Sequence, residues 1–174
     1  WRMLPFIEGA RTYEEVQNPV HAREVGYGLG RFQCLVHDLD PAVLHDTLPG
    51  FHITPLYLDI YDRVQSGRAA TAGSSEERYC ARFIAERRGG ALVLEEAKDR
   101  ARLLVRVIHG DPKINNIMVH PRTWQAVGMI DLDTVKPGLV QYDIGDCLRS
   151  GCNRAGEELA AGRAIRFDTG LCRH

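Results

Sequence analysis

The sequence predicts an α+β fold, and three observations carry that reading. Apolar residues recur at helical spacing in several stretches before residue 100. From Arg102 the pattern changes to short runs rich in β-branched residues, "RLLVRVIHG", "NIMV" and "AVGMIDLD". The chemically active side chains gather at the ends of those runs, as in "VIHGDPKINNIMV" at 107–119. A mainly helical body carrying a few strands, one pair of them a hairpin, accounts for all three.

The elements follow in order. "WRMLPFIEG" is a short apolar run closed by glycine, expected as a strand leading into a connector. Asn18-Pro19 supplies a cap and a first-turn proline, and Val25, Leu29, Phe32 and Val36 then repeat on one helical face. Gly26, Gly28 and Gly30 weaken this helix locally but let another segment approach closely. "HDLDPAVLHDTLPGFHITP" reads as a long structured loop. "LYLDIYDRV" places Tyr57, Ile60, Tyr61 and Val64 on one face of a second helix, and "SGRAATAGSS" is a surface linker. Ser75 is the expected cap of "EERYCARFIAERR", which has acids in its first turn and arginines in its last. "HPRTWQ" joins two strands into a hairpin with its turn between 120 and 125. "YDIGDCLRSG" restarts helix, with Asp143 as its expected cap.

Composition narrows the classes. The 174 residues suffice for a domain with a sizeable core, at 44% hydrophobic and 26% charged. The formal net charge of −1 gives no global field favouring nucleic acid or an acidic membrane. No apolar run approaches the length that spans a bilayer. Lysine occurs only at 98, 113 and 136, which makes Lys113 stand out in an arginine-rich chain. The five cysteines form no C-x-x-C pair, and reduced, buried thiols in a cytoplasm are expected. His37, Asp38, His45, Asp46 and His52 match no compact zinc spacing, so loop hydrogen bonding is the expectation for them. The opening "WRMLPFIEG" reads as the middle of something and the chain stops at "DTGLCRH" shortly after a helical pattern begins, so a fragment of a longer protein is expected.

The hairpin holds the chemistry. Asp111 lies just past a strand end, Asn116 opens the hairpin, and Asp131 closes its second strand. A turn at 120–125 brings Asn116 and Asp131 together, and one oxygen from each makes a hard site suited to Mg²⁺. Asp111 is then free to accept a proton, and Lys113 offers a compact positive charge where phosphate oxygens would lie. A base, a cation and a metal pair are what phosphoryl transfer requires.

"HGDPKINN" resembles the catalytic loop of kinases, and its His-Gly-Asp form resembles the aminoglycoside phosphotransferase and choline kinase family. "IDLDTVKPGLVQYDIGD" is similar to that family's metal segment and the buried aspartate that follows it. "LHDTLPGFH", "IDLDTVKPGL" and "YDIGDCLR" together look most like its N-acetylhexosamine 1-kinase branch. The resemblance implies a protein-kinase-like large lobe over 10–174, incomplete at its C-terminal end. Residues 1–9 would be the last small-lobe strand and the hinge, the rest of the small lobe being absent. It implies Asp111 as catalytic base with Lys113 beside it, and Asn116 and Asp131 as magnesium ligands. His109 and Asp143 would brace the loop, and the backbone at Phe6 and Ile7 would meet adenine. ATP and Mg²⁺ are the implied cofactors, and a small-molecule sugar or alcohol is the implied partner, with no nucleic acid or membrane.

Arg149 and Asn153 follow the brace aspartate, where the acceptor pocket should lie. They could bind sugar hydroxyls or an acetamido group, or stand at the surface. The lead acceptor is the anomeric hydroxyl of an N-acetylhexosamine; an aminoglycoside, choline, homoserine or another small alcohol is the alternative. Segment 143–160 offers Asp146, Glu157 and Glu158 but also Arg149 and Arg154, so charge does not favour a polycation. A further alternative is a non-catalytic large-lobe fragment. The loss of the Gly-rich phosphate loop and its strand lysine implies that this polypeptide alone turns over poorly.

Overall fold

A computed structural model describes residues 3, 5–67, 73–157 and 165–174. The chain divides into two compact units, one of residues 1–47 and 105–174, the other of 48–104. Of the linker expected over 66–75, Ser66 ends α2 and Ser74 and Ser75 begin α3, while 68–72 lie outside the described residues.

In the first unit, helix α1 spans Pro19–Leu35. Its cap is Asn18, whose side chain accepts from the His21 backbone N–H at 2.9 Å. The helix buries Val25 and Leu29 as expected, while Phe32 and Val36 are only half-buried. Gly28 is the close-approach position: a Cβ there would lie 3.0 Å from Ile117 Cγ2, whereas Gly26 and Gly30 face open space.

The second unit contains α2 (Thr54–Ser66), α3 (Ser75–Arg87) and α4 (Val93–Asp99). Tyr61 is half-buried on α2, but Tyr57, Ile60 and Val64 are exposed. The cap of α3 is Ser74, one residue before the expected Ser75. A capping box needs a glutamate three residues on, and only Ser74 has one, in Glu77. Helix α4 was not visible in the sequence pattern; at seven residues it is too short to show periodicity.

Four short strands complete the first unit: β1 (Arg106–Ile108), β2 (Ile117–Val119), β3 (Ala126–Met129) and β4 (Lys136–Gly138). They form two antiparallel pairs, β1 with β4 and β2 with β3. The expected hairpin is β2–β3, in register Ile117↔Met129 and Met118↔Gly128, with an irregularity between Met118 and Val119. Its second strand stops at Met129, earlier than expected, and Asp131 then takes a left-handed conformation (φ 61°) outside the strand region. The strand expected over 102–110 shrinks to three residues, the length of β4 available to pair with it.

Residues 5–7 carry no regular structure, and among the described residues no strand pairs with them, contrary to the strand expected there. The first pairing comes at Arg11, which bridges Val119 in both directions at 2.9 and 2.8 Å.

Helix α5 spans Val140–Gly151 and begins ahead of the expected start. Asp143 lies in its first turn rather than at its cap, and its carboxylate is used elsewhere. Around these elements the core gathers Val25, Leu29, Ile114, Ile117 and Cys147, with Val16, Ala126 and Met129 against it. Of the cysteines only Cys147 and Cys152 are buried, and burial pushes both thiols up to about 12; Cys34, Cys80 and Cys172 are exposed, against expectation.

Candidate active site

The loop after β1 is built on buried backbone that has found acceptors. Asp143 is fully buried on α5, and its two oxygens accept from the backbone N–H of His109 at 2.8 Å and Gly110 at 2.9 Å. Gln33 of α1 donates to the same carboxylate at 3.0 Å. Burial pushes the Asp143 carboxyl pKa up, opposed by those N–H donors and by His109. Two turns further along the helix, Ser150 Oγ accepts from Ile114 N–H at 3.0 Å. Helix α5 thus holds the loop at both ends.

Gly110 is required by its backbone. It sits at φ 85°, and a Cβ would come 2.5 Å from the Thr134 carbonyl. Thr134 also donates its hydroxyl to His109 O at 2.8 Å. The His109 ring is buried and bonded on both nitrogens. Nδ1 accepts from the Asp111 backbone N–H at 3.3 Å, so Nε2 carries the proton and donates to Ile130 O at 3.0 Å.

Asp111, Lys113 and Asn116 come together at the loop's end. Lys113 Nζ lies 3.0 Å from Asp111 Oδ2. Asn116 donates its Nδ2 to the Asp111 carbonyl at 2.8 Å and to Oδ2 at 3.3 Å. Its amide oxygen is left to accept. Ile130 N–H donates to Asn116 O at 2.9 Å, which puts Asp131 immediately beyond the hairpin end that holds Asn116. Asp131 is exposed. Lys113 is held above its ordinary range, first by the hydrogen bond to Asp111, then by the negative charges of Asp111, Glu157 and Asp131, with desolvation opposing. The oxygens of Asn116 and Asp131 are hard donors, which fits a divalent ion of the Mg²⁺ type.

Other candidates stand apart. Phe6 is 86% exposed and Ile7 lies at the surface. The Arg11–Val119 bridge ties their segment to β2 three residues past Asn116, roughly 10 Å along the strand. Asn153 does not offer its amide outward: Nδ2 donates to Gly156 O at 2.6 Å and Oδ1 accepts from Ala155 N at 3.2 Å. Arg149 pairs with Asp146 at 2.8 Å and Glu157 at 3.0 Å. Glu158 lies outside the described residues. In the long loop His37 Nδ1 meets Cys34 O at 2.8 Å, and Asp46 pairs with Lys136, whose ammonium is buried. An apolar cavity of about 370 Å³ between α1 and β3, lined by Phe32, Leu35, Val127 and Leu132 among others, contains none of the candidate residues.

Two groups were missed in the sequence. Ser150 gave no signal, since an isolated serine in a helix has many uses. Thr134, three residues past Asp131, drew no reading of its own, since its hydroxyl partner is His109 O, 25 positions away. The model of the phosphotransferase enzyme family matches residues 1–172. Phosphoryl transfer from ATP to a small molecule, supported by a divalent metal, is the activity that family implies. No helix among the described residues is long and apolar enough to cross a membrane. With the match running over nearly the whole chain, the chain belongs to the phosphotransferase enzyme family.

Proposed function

We propose that the chain transfers the γ-phosphoryl group of ATP to the anomeric hydroxyl of an N-acetylhexosamine, giving the sugar 1-phosphate and ADP. The observation that carries the reading is the meeting of Asp111, Lys113 and Asn116, with Asp131 one residue beyond the Ile130–Asn116 bond.

In this reading residues 10–174 are the large lobe of a protein-kinase-like fold and 1–9 contribute the hinge. Backbone groups at Phe6 and Ile7 meet adenine. Asp111 is the base: Oδ2 is engaged by Lys113 and Asn116, which leaves Oδ1 for the acceptor hydroxyl. As the acceptor oxygen bonds to the γ-phosphorus, its proton passes to Asp111 and the bond to the β-phosphate bridging oxygen breaks. Lys113 supplies positive charge beside the transferring group. Asn116 and Asp131 would hold Mg²⁺, which neutralises phosphate charge when bound. His109 and Asp143 act through the loop backbone. Arg149 faces the acceptor. A cytoplasmic site of action suits the dependence on ATP.

The test is Asp111→Asn assayed with ATP against N-acetylglucosamine, N-acetylgalactosamine, kanamycin, choline and homoserine. Turnover falls by at least about a hundredfold while ATP affinity holds, and only the acetylated sugars are phosphorylated by wild type. Near-normal turnover removes Asp111 from the role of base; phosphorylation of another acceptor alone replaces the substrate.

A further inference from the structure

Arg149 is exposed, with 56% of its side chain open to solvent, yet it is not free to move. Its Nε donates to Asp146 Oδ1 at 2.8 Å and its Nη2 to Glu157 Oε1 at 3.0 Å. Asp146 is the unusual member. Its side chain is only 7% exposed, and its second oxygen, Oδ2, is buried with no hydrogen-bond partner. A carboxylate so placed depends on Arg149 for compensation, and releasing the guanidinium would leave a buried, unpaired charge. Arginine normally loses rotamer freedom when it binds a ligand; here that freedom is already gone.

The position is specific. Asp143, Asp146 and Ser150 recur at helical spacing on the buried face of α5. Asp143 and Ser150 each bond the catalytic loop, at His109–Gly110 and at Ile114. Asp146 lies between them on that face. Glu157, at the other side of Arg149, is close enough for its charge to act on Lys113. Among the described residues, three of the five guanidinium N–H groups of Arg149 have no partner.

We propose that Asp146 is a positioning residue that, with Glu157, fixes Arg149 as a fork of donors for an uncharged oxygen of the phosphate acceptor. The proposal rests on the phosphoryl-transfer reading above. A fork of N–H groups needs a lone pair opposite it. The acetamido carbonyl of an N-acetylated sugar supplies one; the ammonium of the free amino sugar is itself a donor and supplies none. The array therefore discriminates acetylated from protonated amino sugars as well as binding the acceptor.

The experiment measures the KM of N-acetylglucosamine and of ATP, and the preference for N-acetylglucosamine over glucosamine, in Arg149→Met, Asp146→Asn, Glu157→Gln and the Asp146→Asn/Arg149→Met pair. Loss of a charge-assisted hydrogen bond raises the acceptor KM about 10- to 100-fold in Arg149→Met and narrows the preference, with the ATP KM little changed. Asp146→Asn shifts the same two readouts, and the double variant is no worse than Arg149→Met because Asp146 acts through the arginine. Glu157→Gln, a surface change, gives the answer if Asp146→Asn folds poorly, and shifts acceptor KM in the same direction. An unchanged acceptor KM and preference in Arg149→Met overturns the proposal, as does additivity of the pair. Asp111→Asn, run alongside, separates the two layers: its inactivity with a normal Arg149→Met sinks this proposal alone, and its full activity sinks the kinase reading beneath it.

Discussion

Replacing Asp143 by alanine tests how the loop after β1 is held. The carboxylate is fully buried and accepts two backbone N–H groups, from His109 at 2.8 Å and Gly110 at 2.9 Å. Alanine leaves both donors buried and unpaired, at about 1–3 kcal/mol each. Removing a carboxyl whose burial raises its pKa returns part of that cost. The net is about 2–4 kcal/mol, which for a chain of this size lowers the melting temperature by roughly 5–15 °C. Ser150→Ala is the internal standard, since it orphans one N–H, that of Ile114, and should cost about 1–3 kcal/mol. Thermal unfolding followed by circular dichroism reads both. Turnover measured well below the transition should fall further in Asp143→Ala than stability alone explains, because Asp111 follows directly on the released backbone. A melting temperature within about 2 °C of wild type, or a loss smaller than that of Ser150→Ala, refutes the idea that α5 holds the loop through paired N–H groups.

Other expected outcomes rest on separate observations. Gly110→Ala combines a left-handed backbone with a Cβ 2.5 Å from the Thr134 carbonyl, and should cost about 2–5 kcal/mol in urea unfolding. Asp131→Asn should raise the Mg²⁺ needed for half-maximal activity by at least about tenfold, and an unchanged requirement removes it as a ligand. His21 is buried against Tyr13 and Trp124, and burial lowers its pKa from 6.5. The folded state therefore binds this proton less readily than the unfolded state, so the contribution is full above 6.5 and is lost as pH falls toward the lowered value. Melting temperature should drop between pH 7 and 5 more steeply in wild type than in His21→Gln, and equal slopes contradict the assignment.

What was legible in the sequence follows the strength of its local signals. The Asn18-Pro19 start, the β2–β3 hairpin and the loop from His109 to Asn116 all carry fixed local chemistry: a cap, a turn, a glycine with positive φ. The pairing of β1 with β4 does not, because it joins residues far apart in the chain and each strand has only three. Asp143 shows the difference within one residue. The sequence marks an aspartate at the start of a helix, which reads as a cap, and α5 begins three residues earlier. Its partners, His109 and Gly110, lie more than thirty positions away and leave no trace in local pattern. Asn153 illustrates the opposite case: its amide bonds within its own turn, a use that composition does not reveal.

The bonds around Asp111 close on themselves. Its backbone N–H goes to the His109 ring, the other ring nitrogen goes to Ile130 O, Ile130 N–H goes to Asn116 O, and Asn116 Nδ2 returns to Asp111. Four residues from the loop and both hairpin strands' ends are thus fixed to one another through a ring that needs no ligand to form. The histidine closes it because its ring accepts on one nitrogen and donates on the other, joining an N–H to a carbonyl. The cycle gives the histidine two residues before the proposed base a structural use. Its work is to set the distance between that base and the hairpin end that carries Asp131, and preorganisation of that distance is where such a site gains its rate.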